Sequence, residues 1–401
     1  MFKSELFNIF TKSEYQQKYH SLKYLALDLW SQDLSIFTIE DQNRIRTLMQ
    51  SDISAYYECL NQLNAIASPL KNNVSNVNEM YNFFETHSID GRYGVDQSVI
   101  ENQAKYYLNG QEYSYSQARA IVNDAYKNGY VLPHFSKIGT HKYHELKNKL
   151  ITQGFSSSEA SIILSSINDA GACSYASLCN EIFYHFRNNP TLFEQTFGYP
   201  MYVEVNGKKV LNGEDLLLDL YLFANDVNNG GHFFIDNKIN PMYLSTSIDI
   251  HGNRILDAEK QIYMSNSSGR NQFIIEMFLK SKNPDLVYNT NVFIEHFDEP
   301  FSFTVKKMQE RLMELSCKIS EGYSAALGYY KGPNIINMIS YNQGRYPNMN
   351  TDIWEEGEGH SVAIVDILDQ GLVVSSWGNK YLIPIEDLRK GNFTITISKI
   401  S

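Results

Sequence analysis

Gly359-His-Ser-Val-Ala-Ile-Val-Asp-Ile367 and, shortly after it, Val373-Val-Ser-Ser-Trp-Gly378 decide how this chain folds. His360 to Ile367 reads as a strand, Asp369-Gln370-Gly371 as a turn, and Leu372 to Trp377 as the next strand. Gly378-Asn379 makes a second turn and Lys380 to Ile385 a third strand, so the segment is an antiparallel meander. Its counterpart lies far upstream, in Gly171-Ala-Cys-Ser-Tyr-Ala-Ser-Leu-Cys-Asn180. There a thiol stands at a helix start. Behind Cys173 run Ala176, Cys179, Ile182, Phe183 and Phe186, an apolar stripe at helical spacing that would bury against the sheet. Helices first, then a cysteine helix, then a sheet carrying a histidine predict the α+β class.

The chain has 401 residues, enough for two units. We expect a helical N-terminal domain over residues 1–150 and a helix-plus-antiparallel-sheet domain over 151–401. Helices are predicted over Phe37–Met49, with Thr38 and Asp41 at its cap, over Ser114–Gly129, over Ser156–Ile167 and over Phe303–Ile319. Asn206-Gly207 within Tyr202–Val210 predicts a hairpin, Asn334–Tyr341 a strand, and the polar run Ser68–Asn78 a loop. A net charge of −11 argues against a nucleic-acid partner. No stretch approaches the length of a spanning helix, and the N-terminus lacks a standard secretory signal. The expected place is the cytoplasm of the producing cell, or a host cell reached through a dedicated secretion machine.

A thiol becomes a strong nucleophile as thiolate, and the first turn of a helix lowers its pKa. That singles out Cys173. Cys179 lies roughly 240° around the same helix and reads as core. Cys59 and Cys317 sit inside helical patterns and read as structural. No pair has metal-ligand spacing, and no cofactor or metal is called for. His360, at the mouth of an apolar strand, has the rigid mount and open access that a general base needs. Glu355, Glu356 and Glu358 just before it would favour its charged form, or attract a basic substrate, or simply be solvated. His185 and His232 read as surface or satisfied residues.

At these residues the chain resembles the papain-like superfamily of cysteine peptidases. The resemblance covers Gly171–Asn180 and Gly359–Leu388, and Ser376-Trp377-Gly378 is similar to the Ser-Trp-Gly of papain-type enzymes. In its extra helical region the chain is more similar to bacterial toxin and effector cysteine proteases. The resemblance implies Cys173 as nucleophile and His360 as base, facing each other across a helix–sheet cleft. The third position, Asn in papain-type enzymes and Asp in many bacterial relatives, is Ser376 or Ser375 here. Asn379 and Asp366 are the alternatives. Where the family has a glutamine before the cysteine for the oxyanion, this chain has Asn168 or Asp169. Asn168 is the better donor, because a carboxylate repels an oxyanion. The implied activity is acyl transfer through a thioester: proteolysis of a protein substrate first, glutamine deamidation or transglutamination otherwise. The alternative is a degenerate, peptidase-like binding module. The helical region would then dock a host protein or a secretion chaperone.

Overall fold

The computed structural model describes residues 2–12, 14–15, 29, 34–67, 78–88, 92–97, 104–139, 141–169, 172–257, 268–296, 304–330, 336–341, 353–354, 359–368 and 371–401. Within them the meander is part of an eight-stranded sheet. From edge to edge its strands are Tyr288–His296, Asn392–Ile400, Ser324–Tyr330, His360–Leu368, Gly371–Ser376, Asn379–Pro384, Met338–Ser340 and Ile353–Trp354. Every neighbouring pair is antiparallel. Mixed helix and antiparallel sheet agree with the α+β expectation.

Local chemistry accounts for most element ends. Thr38 Oγ1 accepts from the Asp41 N–H at 3.3 Å and starts helix Ile39–Ser51. Ser114 and Gln117 form a full capping box on helix Tyr115–Lys127, and Gly129, at φ +67°, follows its end. Ser156 and Glu159 cap helix Ser157–Asp169 in the same reciprocal way. Asn206 and Gly207, at φ +52° and +75°, join strands Tyr202–Val205 and Lys208–Leu211, as a type I′ turn requires. The helix expected over Phe303–Ile319 is Val305–Ser320. Of the strand expected over Asn334–Tyr341, residues 334–335 lie outside the described residues, and within the rest Met338–Ser340 is strand. Residues 68–77 of the expected loop and 369–370 of the expected turn lie outside the described residues.

Side chains alternate across the large sheet and give it two unlike faces. Leu327, Tyr329, Val362, Ile364, Val374, Phe393 and Ile395 point to an apolar face. Met308, Leu312, Leu315 and Ile319 of helix Val305–Ser320 cover it at helical spacing. Each such side chain gains about 1.5–3 kcal/mol on burial. Ser324, Ala326, Gly328, Ser361, Ala363, Ser375, Thr394, Thr396 and Ser398 occupy the alternate positions and point to the other face. That face is small and polar here and becomes apolar further across the sheet, at Val373 and Leu382. The cysteine helix, Cys173–Phe186, lies on it, and residues 174–184 and 186 of this helix are all buried.

The N-terminal region departs from the all-helical expectation. Lys105–Leu108, Gln111–Tyr113 and Ser136–Ile138 form a three-stranded sheet. Its Tyr106 is buried with Tyr115 and Phe135 against Ile248 and Ile250, far along the chain. Nor does the core break near residue 150. One buried cluster takes in Leu6, Tyr56, Phe84, Leu150, Phe183 and Val373. The apolar faces of the early helices bury against the cysteine helix and its neighbours as well as among themselves. Polar contacts add to this: the Val95 N–H donates to Asn180 Oδ1 at 2.8 Å, and Tyr93 N–H to Gly378 O at 2.6 Å.

Gly94 sits in this seam at φ +73°, where a Cβ would lie 2.5 Å from Ser375 Oγ and 2.8 Å from Asn180 Oδ1. Gly129 has a similar φ, +67°, but open space around it. We therefore expect Gly129→Ala to cost about 1 kcal/mol and Gly94→Ala about 2–4 kcal/mol, read by urea unfolding. Equal costs would show that the seam is loose.

Candidate active site

Cys173 is the first residue of its helix, and its N-cap, Ala172, makes no side-chain capping bond. A cap side chain therefore does not compete for the first-turn N–H groups, which suits a thiolate. Cys173 is half-buried, and none of the four cysteines is in a disulfide. Cys179 and Cys59 are buried as expected; burial pushes Cys179 well up and Cys59 up to about 12. Cys317 corrects the expectation of a structural role: it is exposed, on the solvent side of helix Val305–Ser320.

His360 opens its strand and is 4% exposed. Its Nε2 lies 2.7 Å from Ser376 Oγ. The Trp377 ring stacks on the imidazole at 4.4 Å and 21°, and Tyr329 meets it edge-on at 5.7 Å. Trp377 has φ +46° and Gly378 φ +68°. That left-handed turn after the Ser376 strand, rare for a bulky residue, accompanies the fold of the indole back over the histidine. The sequence motif contained Trp377 but offered no reason for it. The structure supplies one: the indole covers one side of the His360–Ser376 pair.

Of the residues named for the third position, the structure brings Ser376 alone to the ring. Ser375 points to the opposite sheet face and donates to Tyr93 O at 3.0 Å. Asp366 lies along the same strand, roughly 20 Å from its start at the usual rise per residue, and accepts from the Ile367 N–H at 2.8 Å. Asn379 is exposed and donates to Trp377 O at 3.0 Å, bracing the turn. Asn168 lies in the last turn of helix Ser157–Asp169, half-buried, and its Oδ1 has no hydrogen-bond partner among the described residues. The Asp169 side chain, Gly171, Glu355, Glu356 and Glu358 lie outside the described residues.

Direct contacts fix how the cysteine helix runs. His185 Nε2 lies 3.0 Å from Ser324 Oγ, at one end of the sheet. Glu181 accepts from Ser324 at 2.7 Å and from Ser398. Ser177, a turn earlier, lines one recess with Ser361, the neighbour of His360. Cys173 is one turn beyond Ser177, so it lies towards the end of the sheet where the His360 strand begins. Neighbouring residues at the start of the His360 strand divide between the two faces of the sheet. Alternation turns Ser361 towards the helix, while the His360 ring shares the other face with Tyr329 and Val362.

Burial pushes the His360 pKa down to about 3, so the ring is neutral at pH 7. The Ser376 hydroxyl can orient the ring but brings no charge to offset that burial. Among the described residues no cluster of histidine, cysteine or carboxylate side chains could hold a metal, and no helix is long and apolar enough to cross a membrane. A larger groove, about 430 Å³ and walled by Phe155, Phe223 and Phe278 beside Asp219, includes neither Cys173 nor His360 in its lining.

A histidine held neutral contributes stability that is complete above pH 6.5 and is lost as pH falls towards 3. We expect the urea midpoint to fall between pH 7 and pH 4, and to fall less in His360→Gln. The difference at pH 4 should be on the order of 1–3 kcal/mol. Parallel pH profiles would mean that water reaches the ring. Comparison of the chain with family models, with curated proteins and with solved structures finds no match in any of the three.

Proposed function

We propose that this chain is a cysteine-dependent acyl-transfer enzyme of papain-like type, acting first as a protease on a protein substrate. The observation that carries the proposal is the His360–Ser376 hydrogen bond of 2.7 Å, covered by Trp377, at the end of the sheet towards which the Cys173 helix begins. Cys173 is the nucleophile and His360 the base, with Ser376 holding the ring and Asn168 as oxyanion donor. With Nε2 turned to Ser376, Nδ1 is the nitrogen that takes the thiol proton. The sulfur bonds to the substrate carbonyl carbon and the C–N bond breaks. The leaving amine carries away the proton from the imidazolium. Water, deprotonated by the same ring, then attacks the thioester, releasing the acid and restoring the thiol. The same steps on a glutamine side chain release ammonia.

A ring with a pKa of about 3 is a weak base at neutral pH. The proposed reaction therefore needs the ring to become better solvated, or to meet a carboxylate, when substrate binds. That observation also favours a second reading, a peptidase-like module that binds protein without cleaving it.

Thiol reactivity separates the two. Cys317 is an exposed internal reference, and burial protects Cys59 and Cys179. Iodoacetamide at pH 7 should alkylate Cys173 about tenfold faster than Cys317 or more, by peptide mass analysis of timed samples. Cys173→Ala should lose all turnover of a quenched peptide library. Labelling of Cys173 no faster than Cys317, with no turnover by the unaltered protein, leaves the binding module.

A further inference from the structure

Cys173 and Ser177 are one turn apart and share a side of their helix. Ser177 lines a recess of about 40 Å³ between this helix, helix Ser268–Lys282 and the polar face of the sheet. Gln272, Thr290, Ser361, Thr394 and Thr396 line it too. Two features make it more than a packing gap. None of its lining side chains carries a charge. And two polar atoms in its wall have no hydrogen-bond partner among the described residues, Ser177 Oγ and Gln272 Nε2, while the Thr290 hydroxyl, bonded to Tyr288, keeps acceptor capacity. Ser177 is 2% exposed, so its hydroxyl is unsatisfied in the interior. Such a group costs about 1–3 kcal/mol unless something else bonds to it.

We propose that this recess is a specificity subsite beside Cys173 for the neutral carboxamide of an asparagine or glutamine side chain. The chemistry of the wall selects that group. A carboxamide oxygen accepts from the Gln272 amide, and its NH₂ donates to the Ser177 and Thr290 hydroxyls. A carboxylate would be buried with no cation to meet it. An aliphatic side chain would leave Ser177 Oγ and Gln272 Nε2 unsatisfied. The volume admits about three water-sized groups, and a carboxamide has three heavy atoms. The subsite rests on the proposed role of Cys173, and the test keeps the two apart.

The test uses the full chain and measures protection of Cys173 from iodoacetamide by N-acetyl-glutamine amide, N-acetyl-glutamate amide and N-acetyl-norleucine amide. The glutamine compound should slow labelling at concentrations about tenfold lower than the other two, the worth of about one well-made hydrogen bond. Gly328 also lines the recess, and a Cβ there meets the Tyr330 hydroxyl at 3.6 Å, an ordinary contact. Gly328→Ala therefore partly fills the recess without strain and should remove the preference for glutamine. Ser177→Val is the second variant, and a thermal melt of each reports its folding. Fast labelling of Cys173 with equal protection by all three compounds, or with none, overturns the subsite while leaving the nucleophile standing. Water alone in the recess gives that same result. Slow labelling of Cys173 instead overturns the reading on which the subsite rests.

Discussion

A helix buried on every side against a polar sheet face is the constraint on which this structure depends. Residues 174–184 and 186 of the cysteine helix are all inside. Its polar side chains cannot turn to water, so each needs a partner in the protein or a polar space. Glu181 finds Ser324 and Ser398, His185 finds Ser324, and Asn180 accepts the Val95 N–H. Together these bonds set the rotation and the direction of the helix. The position of Cys173, at the helix start and towards one end of the sheet, follows from them. Serine, alanine, glycine and threonine on the sheet let the helix come close. The Ser174 and Ser177 hydroxyls have no such partner among the described residues, and at Ser177 the sheet and helix leave a recess instead of a contact.

The histidine is held by a different logic. A hydrogen bond to Ser376, a stacked indole and the edge of Tyr329 fix the ring closely. The same neighbours exclude water, and exclusion of water holds the ring neutral. Rigid orientation and basicity thus oppose each other at this site. A carboxylate in place of Ser376 would orient the ring and raise its pKa at once; a hydroxyl does only the first.

Local signals reached far into the fold. The caps at Thr38, Ser114 and Ser156, the Asn206-Gly207 hairpin and the three strands of the meander all depend on residues within a few positions of one another. The helical period of Met308, Leu312, Leu315 and Ile319 is local in the same sense. Other features had no such signal. The three-stranded sheet of the N-terminal region is completed by apolar residues more than a hundred positions away, in Ile248 and Ile250. Asn180 and Val95 are 85 residues apart, and nothing in either segment points to the other.

The candidate site divides along the same line. The sequence by itself determined that a thiol starts a helix, that an imidazole starts a strand, and that a serine and a tryptophan follow on the next strand. These are matters of spacing and period. Only the tertiary structure decided that Ser376 and not Ser375 bonds to the ring, and that His360 faces away from the cysteine helix while Ser361 faces it. Strand alternation separates neighbouring residues into opposite faces. Which face receives which helix is settled by packing between segments remote in the chain, where no local pattern reaches.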